Sequence, residues 1–143
     1  MNRLGITWAQ LHGASTHFPV VLSLVAFACD LAAVWRWQHS DGAGLRRAAL
    51  GAVLLAAVGS LVAATTGLVL AHGEFWGDGD LGAHHRFVWP AFGLIVGAAV
   101  WRSIMHAHAT RRDLAIYVGA VAGIGALFLG GSYFGGEMLL SAA

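Results

Sequence analysis

The sequence contains no lysine, a single cysteine and two prolines, and only 10% of its 143 residues are charged. A soluble domain carries about 25% charged residues, so an ordinary water-facing surface cannot be built from this chain. The lone cysteine, Cys29, excludes an intrachain disulfide and reads as a small core residue. No "HExxH"-type arrangement occurs, which places a membrane metalloenzyme using the histidines with Glu74 or Glu137 last among the functional readings. With lysine absent, all side-chain positive charge outside histidine rests on arginine.

What is present is apolar. Hydrophobic residues make up 58% of the chain, gathered in runs at about 17–37, 45–71, 87–104 and 114–134, each near the roughly 20 residues that cross a bilayer. The runs lack the period-2 alternation of barrel strands, so helices must satisfy the backbone in lipid. The expected fold is all-α: an integral membrane four-helix bundle, up-down-up-down because the loops are short, forming one transmembrane domain over 1–143. In that arrangement the first and third helices are diagonal and run the same way. The first apolar run starts late, no small-residue cleavage site follows it, and Phe27 is bulky ahead of Cys29, so an uncleaved first helix is expected.

Arg36, Arg46 and Arg47 fall between helices one and two, and Arg102, Arg111 and Arg112 between three and four; Arg3 and Arg86 fall on the other side. Positive residues mark the cytoplasmic face. The expectation is a multi-pass protein of the bacterial inner membrane with both termini periplasmic and Glu74, Asp78 and Asp80 outside. Trp35, Trp37, Trp76, Trp89 and Trp101 fall near the boundaries, as aromatic belts do.

A faint repeat runs through the chain. "THFPVV…AVWRW" is echoed by "HHRFVWP…AVWRS", "LRRAAL" by "TRRDLA" and "HGEF" by "GGEM", at offsets from 68 (His17 to His85) to 63 (His72 to Gly135) residues. Two helical hairpins related by an axis along the membrane normal would produce it; so would the arginines and tryptophans that any two membrane hairpins share. Gly93 and Gly97, Gly119 and Gly123, and Gly131 and Gly135 have the spacing that lets helices approach closely.

His12, His17, His72, His84 and His85 lie on the outer side. With Ser15 or Thr16 as cap and Pro19 in the first turn, His17 starts the first helix, and His85 starts the third at the same depth. A helix N-terminus disfavours protonated imidazole, and a metal needs the neutral ring. His85 projects nearer the face of Gly93 and Gly97, so if those glycines face the interior His85 points inward and His84 is a bystander. His17 and His85 across a glycine-lined interior suit the two axial ligands of a b-type heme, with Arg86 on a propionate. His84, His12 and His72 are the alternative ligands; zinc, which wants more of them converging, stays open, as does a set of solvated interfacial rings. His39, His106 and His108 lie inside, either bracketing a second heme or as interfacial residues. Asp30, costly within a helix in lipid, reads as a paired carboxyl reaching Arg36 or Arg102.

"HGASTHFPVVL" resembles the "HPxxxHFPxAL" opening of a widespread bacterial four-helix membrane domain of unassigned function. "TTGLVLAHGEFWGDGDLGAHHRFVWPAFG" resembles the glycine-containing helix end, "GxYDxD"-like loop and "HRW-hydrophobic-G" of its relatives, and "GGSYFGGEML" their "GxxxGGxL" ending. Members occur fused to c-type cytochrome or Rieske domains, and the resemblance implies electron transfer. His17 matches the histidine of "HFP", His85 that of "HR" and His12 the earlier one. Gly13 departs from the pattern's proline, Phe87 from its tryptophan, and no histidine follows "GGEML".

The function expected is a membrane-embedded b-type cytochrome subunit rather than a self-contained enzyme. It would hold one heme b near the outer face and exchange electrons with a periplasmic c-type cytochrome and with quinone. Lipid and other membrane subunits are expected partners; nucleic acid is not. The alternative is a non-catalytic anchor or assembly subunit without its own cofactor.

Overall fold

In the computed structural model, which describes residues 7–39, 42–105 and 109–141, Thr7 opens the first helix through a reciprocal cap. The Thr7 hydroxyl accepts from the Gln10 amide at 3.2 Å, and the Gln10 side chain accepts from the Thr7 amide at 3.0 Å. Two orphan donors are satisfied by this box, so α1 (Trp8–Trp35) starts well before the expected position 17. Ser15 and Thr16 are not caps; they lie inside α1 and donate to the carbonyls of His12 and Gly13. Pro19 and Pro90 likewise sit inside their helices.

The remaining helices are α2 (Gly42–Leu70), α3 (Gly79–Met105) and α4 (Arg111–Ser141). Helix α3 also starts earlier than expected, with Asp80 in its first turn, where a carboxylate suits the helix dipole. Thr110 caps α4, exchanging hydrogen bonds with Asp113 of the first turn. Hydropathy registers only the apolar stretch, whereas caps and interfacial turns are polar, so each helix starts before its apolar run. Arg3, His106 and His108 lie outside the described residues.

Each helix is long and apolar enough to cross a membrane. α1 packs on α2, α2 on α3, α3 on α4 and α4 on α1, leaving α1 and α3 diagonal. The expected fold, an all-α four-helix bundle, is the one observed, and the protein is a multi-pass membrane protein.

Size is sorted inside out. The buried face is rich in alanine (Ala26, Ala33, Ala49, Ala56, Ala91), while Leu24, Leu55, Val58, Leu61, Leu94 and Ile104 are exposed. Lipid is as apolar as leucine, so nothing drives large side chains inward, and small residues let the helices close on one another. Of the glycines expected to let helices approach closely, Gly131 and Gly135 do so and the other four do not. Gly93, Gly97, Gly119 and Gly123 are exposed, with nothing within 4 Å of a Cβ placed on them. Close approach is made at Gly130 and Gly131, whose Cβ would meet Phe87 Cδ1 at 2.7 Å and Val88 Cγ1 at 2.6 Å.

At the end of α1 and α3 away from His12, His17, His84 and His85, Asp30 and Arg102 are fully buried and paired at 2.8 Å. Of the two arginines expected to reach Asp30, the partner is Arg102. The pair fixes the register of the two diagonal helices.

Candidate functional site

Toward the other end the four helices part around a cavity of about 480 Å³, within the roughly 300–1,000 Å³ of small-molecule and cofactor sites. Four imidazoles line it: His12 and His17 from α1, His84 and His85 from α3. Ser60, Ala63 and Gly67 of α2 and Ser132, Gly135 and Gly136 of α4 form much of the remaining wall. Small side chains on α2 and α4 make room between the histidine-bearing helices.

The four rings are held differently. His12 Nδ1 lies 3.1 Å from the Ala63 carbonyl and 3.1 Å from Thr66 Oγ1. A carbonyl only accepts, so Nδ1 carries the proton. Thr66 in turn gives its hydroxyl proton to the Val62 and Ala63 carbonyls. His84 Nδ1 donates to the Gly131 carbonyl at 2.8 Å, which fixes the same tautomer. In a neutral ring of this kind Nε2 is the bare acceptor, and neither Nε2 has a hydrogen bond among the described residues.

His85 is 5% exposed, and its Nδ1 has no hydrogen-bond partner among the described residues. Its ring lies 5.8 Å from that of His84 and 5.9 Å from Trp89. His17 reaches the cavity but is exposed, as is Arg86. His72 is an exposed residue at the C-terminal end of α2, with φ of 54°, and does not line the cavity. His84, expected as a bystander, is on the cavity wall. Gly93 and Gly97, whose inward facing would have turned His84 away from the interior, face out.

Comparison with protein families, with curated proteins and with solved structures finds no match.

The donor set separates the candidate cofactors. Among the described residues no three histidine, cysteine or carboxylate side chains converge as a metal-ion site, so the set that zinc requires is not assembled. Heme brings four nitrogens of its own and asks the protein for one or two axial ligands. Imidazoles from two diagonal helices, with Nε2 of His12 and of His84 left without a hydrogen bond among the described residues, and an apolar cavity fit that demand.

The mouth of the site is tied down by α3. Trp89, on the cavity wall, donates from Nε1 to the Phe75 carbonyl at 2.8 Å and stacks on the Phe75 ring at 4.2 Å. The 71–78 connection is thereby fastened to the helix that carries His84 and His85. Glu74 and Glu137 are exposed.

Proposed function

We propose that this protein is a membrane-embedded b-type cytochrome subunit, with one heme b in the cavity between α1 and α3. The observation that carries the reading is that His12, His17, His84 and His85 line one cavity of about 480 Å³ in a membrane bundle. Bound there, heme would supply one-electron chemistry. The protein's own part would be to hold it by cavity imidazoles, to bury it with the small residues of α2 and α4, and to orient the rings through carbonyl acceptors. Arg86, exposed beside His85, suits a propionate at the water boundary.

The arginine distribution supports a bacterial inner membrane protein with both termini and the heme cavity on the periplasmic side. A periplasmic c-type cytochrome is then the natural electron partner, and quinone in the bilayer the natural source. The test is the visible spectrum of detergent-purified protein from heme-replete cells, oxidised and dithionite-reduced, with a pyridine hemochrome assay. Soret and α bands that shift on reduction, at one heme b per chain, support the reading. Protein isolated with its partners and lacking heme overturns it.

A further inference from the structure

Histidines that face each other across a bundle must agree in depth and in angle, and Asp30 and Arg102 supply the reference for both. These two side chains meet across the diagonal of the bundle. His12 lies eighteen residues before Asp30 and His84 eighteen residues before Arg102. Eighteen residues are about five turns and about 27 Å of helix, so each histidine returns to the face of its helix that carries the ion pair, at matched depth. His17 and His85 stand thirteen residues from Asp30 and seventeen from Arg102. That mismatch is about 6 Å along the axis, and neither falls on the ion-pair face.

The surroundings repeat as well. His12 donates to the Ala63 carbonyl, and a Cβ on Gly67, four residues later, would lie 2.8 Å from its Cε1. His84 donates to the Gly131 carbonyl, and a Cβ on Gly135, again four residues later, would lie 3.3 Å from its Nδ1. Each ring is therefore seated over a glycine of the next helix, with Nδ1–H on the carbonyl one turn earlier. Such an Nδ1–H to carbonyl bond is how proteins orient a histidine that ligates through Nε2.

We infer that His12 and His84, through Nε2, are the axial pair of this cavity, with His17 and His85 flanking it. The inference rests on the heme reading and replaces the His17 and His85 pair expected from the sequence. His85, buried beside His84, is a neighbour of the ligand, and its unpartnered Nδ1 faces no fixed acceptor that would orient the ring.

The experiment compares His12→Gly, His84→Gly, His17→Gly and His85→Gly, each purified in detergent and checked for a monodisperse profile. Optical and electron paramagnetic resonance spectra read the spin state of the iron. The expected result is loss of the six-coordinate low-spin signal in the first two variants, restored by added imidazole, and its retention in the last two. Loss in His17→Gly or His85→Gly with retention in His12→Gly and His84→Gly overturns the assignment and leaves the heme reading intact. Equal loss in all four, or monodisperse His12→Gly and His84→Gly proteins that imidazole does not rescue, overturns it too. Heme absent from the unsubstituted protein overturns the reading on which it rests.

Discussion

Arg102 holds Asp30 across the diagonal of the bundle with two hydrogen bonds, 3.1 Å from Nε and 2.8 Å from Nη2. The same Nη2 donates to the Arg46 carbonyl at 3.1 Å, which ties α2 to the pair. One end of the bundle is thus closed by charge and the other is opened around imidazoles. Ionisable groups at this depth are rare in membrane helices because desolvation is costly, and this one is offset by its partner.

Removing one partner leaves an uncompensated buried charge. Asp30→Ala or Arg102→Ala should cost about 3–5 kcal/mol, whereas Asp30→Leu with Arg102→Met should cost less than either alone. Denaturation of the four proteins in mixed micelles measures this. A double variant as unstable as the sum of the singles would show that the two residues act independently.

The glycines give a sharper contrast. A methyl group at Gly67 would lie 2.8 Å from His12 Cε1, so the ring must turn away and give up the Ala63 carbonyl. If the cavity holds heme as proposed, Gly67→Ala should lower heme content while leaving helix content unchanged. At Gly93 nothing lies within 4 Å, and Gly93→Ala should change stability by no more than about 0.5–1 kcal/mol, in the stabilising direction, through helix propensity. A hemochrome assay beside circular dichroism separates the two, and an equal effect from both substitutions would refute the seating of His12 on Gly67.

Helix number, helix type and the diagonal placement of α1 and α3 were legible in the apolar runs and short loops. Helix starts were not read from them, because "GDGDLGAHH" reads as loop although all but its first two residues belong to the first turns of α3. For α1 a signal lay in "TWAQ", a threonine three residues before a glutamine, but the expected cap was Ser15 or Thr16. The cavity's histidines were named from the sequence, but their orientation depended on which glycines face inward. In lipid a small residue can face outward without penalty, so Gly93 and Gly97 gave no direction. The equal spacing from His12 to Asp30 and from His84 to Arg102 was present in the sequence. It became informative only once the ion pair supplied a register.

Trp89→Phe tests how the site mouth is fastened. Phenylalanine keeps a ring to stack on Phe75 but loses the Nε1 donor to its carbonyl. A lost hydrogen bond of this kind costs about 0.5–1.5 kcal/mol. Hydrogen exchange should therefore quicken in the 71–78 connection while the helix interiors keep their protection. Unchanged exchange in that segment would mean that stacking alone holds it.

The tautomers of His12 and His84 can be examined without any cofactor. Both rings donate from Nδ1 to a carbonyl, Ala63 for His12 and Gly131 for His84, and a carbonyl cannot return the proton. In heme-free protein at a pH where imidazole is neutral, nitrogen-resolved NMR of the two side chains should show Nδ1 protonated and Nε2 bare. The usual preference of a free imidazole is the opposite tautomer, so the shift is diagnostic of the seat and not of histidine in general. Thr66→Val removes the second acceptor near His12 Nδ1 but leaves the Ala63 carbonyl, and the tautomer should survive it. His12 or His84 found protonated at Nε2 would remove the orientation on which their proposed role as ligands rests, whatever the heme content of the native protein.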